Sequence, residues 1–239
     1  MMTTDVSHPD QAGDHDPRAL PSRILTPTLA KQCWGFIIGS ALFALGSAPG
    51  FAEATSANIA NLCYFVGAWF FTGAALIQLV LSGKMTVPVS YAPGVMFRAE
   101  WLAGSIQFFG TLLFNVSTTA ALMAHTVKGE QRLVWNPDAG GSVAFLLSGG
   151  FVLLAFVRAG NDFLSPRKVD FWSGQINWLG CVAFGVAAVG GFVSNTGTVM
   201  DNTLANWGTF IGALCFLVAS AIALPRLPWN RVDGSGAGA

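Results

Sequence analysis

Ala60-Asn-Leu-Cys-Tyr-Phe-Val-Gly-Ala-Trp-Phe-Phe-Thr-Gly-Ala-Ala-Leu-Ile-Gln-Leu-Val-Leu-Ser82 contains neither an acid nor a base. Crossing the roughly 30 Å hydrocarbon core of a bilayer takes about 20 mostly apolar helical residues, so this stretch predicts a transmembrane helix. Working outward, Trp34 to Ala52 precedes it with the same character. Trp101 to Ala124, Ser142 to Val157, Phe171 to Val193 and Leu204 to Leu224 follow. The shortest, Ser142 to Val157, still has a core, Ala144-Phe-Leu-Leu-Ser-Gly-Gly-Phe-Val-Leu-Leu-Ala155, too apolar for a loop.

The whole composition agrees. The chain has 239 residues, 53% hydrophobic and 10% charged, with a mean hydropathy of +0.55, whereas soluble domains carry about a quarter charged residues. The expected fold is an all-α, polytopic membrane bundle of six transmembrane helices, arranged as three similar helical hairpins at about 34–82, 101–157 and 171–224. Residues 31–226 form the transmembrane domain. Residues 1–30, rich in Pro, Asp, Ser and Thr and without an apolar core, read as a disordered cytoplasmic tail rather than a signal peptide. Residues 227–239 read as a flexible tail, and Gly234-Ser-Gly-Ala-Gly-Ala239 has the composition of a linker.

Basic residues set the orientation, because cytoplasmic loops collect Lys and Arg. With the N-terminus inside, the inner side receives Arg18, Arg23, Lys31, Lys84, Arg98, Arg158, Arg167, Lys168, Arg226 and Arg231. The outer side receives Lys128 and Arg132, which accounts for all twelve. Both termini are therefore expected in the cytoplasm. Twelve acids balance the twelve bases without a long basic run, so nucleic acid is not an expected partner.

A short pattern, small-x-x-x-Phe-x-x-small, recurs through the spans: Gly39/Phe43/Gly46, Gly67/Phe71/Ala74, Gly110/Phe114/Ser117, Gly180/Phe184/Ala187 and Gly212/Phe216/Ala219, with Leu147/Phe151/Leu154 as a degenerate sixth copy. Positions i, i+4 and i+7 share one helix face. Helices in lipid associate by close packing at small residues, so these stripes are expected contact faces, within one subunit or between copies. Gly39, Gly110 and Gly180 are spaced so evenly that three hairpins around a pseudo-threefold axis are expected, enclosing either a pore or a packed centre.

Polar side chains at membrane depth supply the few functional candidates. Gln107 and Asn177 stand at equivalent places, three residues before a stripe glycine, and Asn115 lies deeper. An unpaired amide in hydrocarbon costs several kcal/mol, so all three are expected to face protein or water. They either line a small solute's path or bond between helices. Asn61 and Asn206 match one another at outer span starts, where interfacial hydration suffices.

No ionisable residue is expected in the central part of any span, which weighs against carboxylate proton relays, voltage sensing and retinal attachment. His8, His15 and His125 lie in the tail or at a span end, so no haem ligand is expected. Cys33, Cys63, Cys181 and Cys215 show no CxxC spacing and read as buried thiols. No nucleophile shares its depth with a base, so the chain is not expected to be an enzyme; no cofactor or metal is expected either. Asn115-Val-Ser117 matches a glycosylation sequon, but at membrane depth.

The expected outer loop, Arg132-Leu-Val-Trp-Asn-Pro-Asp-Ala-Gly-Gly-Ser142, is chemically dense. Asn136-Pro137-Asp138 reads as a turn leading into a helix, Ser142 as its cap and Trp135 as an interfacial anchor. Trp135 and Asp138 are the candidate contacts there. On the inner side, Arg98-x-Glu100 and Lys168-x-Asp170 place an acid in a helix's first turn and a base toward lipid headgroups.

Ile106-Gln107-Phe-Phe-Gly-Thr-Leu-Leu-Phe-Asn-Val-Ser117, Leu133-Val-Trp-Asn-Pro-Asp138 and Asn206-Trp-Gly-Thr-Phe-Ile-Gly-Ala-Leu-Cys-Phe-Leu217 together resemble an uncharacterised family of bacterial, largely actinobacterial, integral membrane proteins. The hairpins are similar to YrhK-like domains, and the likeness runs from about Trp34 to Pro225. It implies a multi-pass protein of the bacterial cytoplasmic membrane and no particular mechanism. Two functions follow from the residues. The first is a non-catalytic, oligomeric scaffold or accessory subunit, with lipids and a second copy or another membrane protein as partners. The second is a passive channel or facilitator for a small neutral or weakly polar solute, lined by Gln107, Asn115 and Asn177.

Overall fold

The computed structural model describes residues 26–88, 95–123, 126–159 and 169–225. The expected tails lie outside them except for residues 26–30, as do His125 and Lys168. Six long helices carry the fold: α1 (Leu29–Ser47), α2 (Ala57–Leu81), α3 (Ala99–Ala121), α4 (Asn136–Arg158), α5 (Val169–Gly190) and α6 (Asn202–Ala223). A two-stranded antiparallel ribbon, β1 (Thr86–Pro88) and β2 (Val95–Phe97), joins α2 to α3.

Helix starts are set by capping chemistry rather than by the first apolar residue. Thr28 Oγ1 accepts from Lys31 N at 3.3 Å, Ser56 Oγ from Ile59 N at 3.2 Å and Asp201 Oδ1 from Leu204 N at 2.9 Å. Each satisfies a backbone donor that the first turn leaves without an intrahelical partner. α1 therefore begins at Leu29, ahead of Trp34. It ends at Ser47 because Pro49 pushes Ala48 into an extended conformation, ψ 134°.

The largest departure from expectation is the segment before α4. Val127–Gly129 and a π-helical stretch, Glu130–Trp135, run unbroken into α4, so residues expected as an outer loop are helical. Asn136 N donates to Gln131 O in the i→i+5 pattern. That widened turn gives room to the ring of Pro137, which would otherwise clash with a carbonyl one turn back. Asn136-Pro137-Asp138 is thus the first turn of a continuing helix. Ser142 lies within it, buried and with an unpartnered hydroxyl, and caps nothing.

Four helical segments among the described residues are long and apolar enough to cross a membrane: Leu29–Ser47, Ala57–Leu81, Val127–Arg158 and Asn202–Ala223. α3 and α5 match them in length, with polar side chains such as Gln107 and Asn115 in α3 and Ser173 and Asn177 in α5.

Consecutive long helices pack antiparallel. Gly35 meets Ala74 near one end of the α1–α2 contact and Gly46 meets Ala60 near the other. Ser148 of α4 reaches Ala103 of α3, and Gly190 of α5 abuts Ala205 of α6. α1 also packs on α6, α2 on α3 and α4 on α5, which closes a ring of six helices.

The stripes face inward along this ring. A Cβ on Gly39 would stand 2.9 Å from Gly67 O, and one on Gly67 would stand 2.8 Å from Phe43. The α5–α6 pair repeats this reciprocity, with 2.8 Å from Gly180 to Phe216 and 2.6 Å from Gly212 to Phe184. Each glycine accepts its partner's phenylalanine because it has no side chain there. In the α3–α4 pair the same exchange links Gly110 to Phe145, at 2.9 Å, and Gly141 to Phe114, at 3.0 Å. The sixth copy is therefore Gly141/Phe145/Ser148 and not Leu147/Phe151/Leu154: Phe145 is 2% exposed, whereas Leu147 is 55% exposed on the outside of the ring.

Candidate functional site

The six phenylalanines meet at the centre of the ring. Phe43, Phe114 and Phe184, from α1, α3 and α5, form a triangle with centroid separations of 6.5, 6.0 and 6.1 Å. Phe71, Phe145 and Phe216, from α2, α4 and α6, form a second with 6.2, 6.0 and 5.7 Å. Each partner pair joins the triangles at 5.0 to 5.4 Å. Two of these joins are edge-to-face and one, Phe184 with Phe216, is stacked at 13°. The pseudo-threefold axis thus passes through a packed aromatic plug.

A cavity opens on either side of that plug. The first, of about 250 Å³, is bounded by Phe71 and Phe216 and lined by amides and hydroxyls including Gln32, Gln78, Gln107, Ser173, Gln175 and Asn177. The second, of about 420 Å³, is bounded by Phe43 and Phe184 and lined by Asn61, Tyr64, Glu130, Trp135, Asp138, Asn206 and Thr209 among others. We call them the amide cavity and the acid cavity. Seven residues separate Gln107 from Phe114 and Asp138 from Phe145, so at 1.5 Å per residue each polar group stands about 10 Å from the plug.

Counting from the stripe glycines shows that both cavities carry the repeat. Phe36, Gln107 and Asn177 are the residues three before Gly39, Gly110 and Gly180, and all line the amide cavity. Tyr64, Asp138 and Thr209 are three before Gly67, Gly141 and Gly212, and all line the acid cavity. Asn61, Trp135 and Asn206 form a further ring, six before the same glycines.

The sequence candidates divide accordingly. Gln107 and Asn177 come together in one cavity. Ser148, buried in α4, lies 2.9 Å from Gln107 Oε1 and 2.8 Å from Ala103 O, so its single proton is shared between them. Asn177 Nδ2 has only a weak contact, 4.0 Å to Cys181 Sγ. Asn115 borders neither cavity. Its Nδ2 donates to Thr72 Oγ1 at 2.8 Å, Thr72 in turn donates to Ala68 O at 3.0 Å, and Asn115 Oδ1 is left buried without a partner. Asn115 therefore bonds α3 to α2.

Trp135 and Asp138 both border the acid cavity. Trp135 Nε1 donates to Ala188 O at 2.8 Å and the ring lies edge-on to Phe192 at 4.9 Å, which pins the π-helical stretch to α5. Gln131 Nε2 adds a bond to Val193 O at 3.0 Å. Asn61 Nδ2 donates to Ala121 O at 3.3 Å, closing the last turn of α3. Asp138, expected in a loop, faces a cavity from within a helix. On the opposite end of the ring, Arg98 pairs with Glu100 at 3.4 Å and donates to Ser82 O at 3.1 Å, so the Arg-x-Glu motif ties the end of α2 to the start of α3.

Among the described residues no cluster of three or more His, Cys, Asp and Glu side chains is arranged to hold a metal ion. The architecture defines an all-helical protein with several apolar helices compatible with a membrane. No protein-family model matches the chain, and neither a curated protein nor a solved structure does.

Proposed function

We propose that this chain is a multi-pass facilitator that carries a small polar solute along its pseudo-threefold axis, with the phenylalanine plug as its gate. One observation carries the proposal: two cavities with polar groups in their walls face each other across one aromatic plug. A bundle selected only for tight packing has no use for aligned polar chambers, because each buried polar group costs free energy unless it is bonded or hydrated. Hydrophobic constrictions between hydrated chambers gate by excluding water.

In this reading all six helices cross the bilayer as three hairpins with both termini inside, in accordance with the ten-to-two partition of Lys and Arg. The amide cavity then faces the cytoplasm and the acid cavity the outside. A bacterial cytoplasmic membrane is the location that the family resemblance implies. The scaffold alternative draws on the Gly/Phe stripes, but those residues are engaged within the chain. A partner or second copy would have to use the outer surface, for example the groove beside Trp34, Trp69 and Phe70.

The test is solute flux into proteoliposomes, followed by stopped-flow scattering with glycerol, urea and guanidinium gradients. Flux above that of protein-free vesicles is expected for at least one solute. It should be abolished when Gln107 and Asn177 are both replaced by Leu without loss of fold. Wild-type vesicles that pass none of the three, or a double variant with unchanged flux, would overturn the proposal.

A further inference from the structure

We propose that the acid cavity binds a compact organic monovalent cation, with a guanidinium- or alkylammonium-sized head held between the Asp138 carboxylate and the aromatic walls. This rests on the facilitator reading and names the class of its solute.

Charge comes first. Asp138 and Glu130 border the cavity, and among the described residues no Lys, Arg or His does. Neither acid forms an ion pair among the described residues, where the one pair found joins Arg98 to Glu100 at the far end of the ring. Asp138 is half-buried and lines the cavity, and among the described residues no hydrogen-bond donor meets its carboxyl. A carboxylate held away from water without a counter-charge is costly, and a bound cation removes that cost.

The walls then specify the cation. Phe43 and Phe184 close one end of the cavity, and Tyr64 and Trp135 border it. Aromatic faces attract cations whose hydration is weak. A bare divalent ion would instead demand about six oxygen ligands, and no suitable cluster of metal-ligating side chains is present among the described residues. The volume of about 420 Å³ falls within the range of small-molecule sites. Across the plug, no charged residue among those described borders the amide cavity, so such a cation would be held tightly on one side and loosely on the other.

Guanidinium and urea are both planar and close in size but differ in charge, which makes them a direct pair of probes. Calorimetry on the full chain in nanodiscs should show guanidinium binding at least ~10-fold tighter than urea, about 1.4 kcal/mol. Asp138→Asn should erase that preference and Asp138→Glu should keep most of it, with both variants checked for fold by circular dichroism. If Asp138→Asn fails to fold, carbodiimide labelling of wild-type Asp138 gives an independent readout: guanidinium should protect it and urea should not. Equal affinity for the two probes, or guanidinium binding that survives Asp138→Asn, would overturn the inference. Solute flux without guanidinium binding would remove this site and keep the pathway, whereas binding without flux would do the reverse.

Discussion

Gly141 and Phe145 illustrate how one residue's register decides what its neighbours mean. A Cβ on Gly141 would lie 3.0 Å from the Phe114 ring and 3.1 Å from Gly110 O, so a larger side chain must push two helices apart. Gly141→Ile is therefore expected to destabilise the fold by about 1–3 kcal/mol, the usual cost of overpacking. Leu147→Ala, on the exposed side of the same helix, should stay within about 0.5 kcal/mol, as surface changes do. Unfolding titrations in mixed detergent would compare them, and the reverse ordering would return the sixth stripe to Leu147. The stripe's rule is legible in the sequence, but Gly141 lies one residue outside the apolar run that begins at Ser142. Out of that register, Asp138 loses its equivalence to Tyr64 and Thr209 and reads as a loop acid. Gln107 and Asn177, whose stripe glycines were in register, do share a cavity.

Helical elements were the most legible part of the chain, since uncharged runs of about 20 residues have few other outcomes. Their limits were less so, because caps such as Thr28 and Asp201 lie outside the apolar runs. The π-helical stretch Glu130–Trp135 was not legible at all: Asn-Pro normally marks a turn, and the i→i+5 bonding that admits Pro137 leaves no pattern in composition. What holds this element is tertiary, namely Trp135 on Ala188 and Phe192 and Gln131 on Val193. Trp135→Phe removes the indole donor while keeping an aromatic ring. It should cost about 1 kcal/mol, the net worth of a typical hydrogen bond, and should speed amide exchange in residues 127–135 while sparing α1 and α2. Unchanged exchange would assign the docking to ring packing alone.

At the scale of the whole molecule, repetition supplies both closure and a centre. Three antiparallel pairs complete a ring, and each contributes two phenylalanines to the axis, whose filled state the even spacing of Gly39, Gly110 and Gly180 leaves open. Six rings of one residue type fill that axis where smaller or polar residues would have left it open. If the plug is only packing, truncating one ring should lower stability and change nothing else. If it is the barrier between the cavities, truncation should also open a path. Phe145→Ala is the decisive change, because Phe145 touches Phe71, Phe114, Phe184 and Phe216. It should cost about 3–5 kcal/mol of stability and raise guanidinium flux in proteoliposomes at least ~10-fold through loss of the dewetted constriction. Phe36→Ala, which enlarges the amide cavity below the plug, supplies the control: it should weaken the fold without raising flux. A Phe145→Ala protein that remains folded in the bilayer and as impermeable as wild type would show that the aromatic layer is not the barrier.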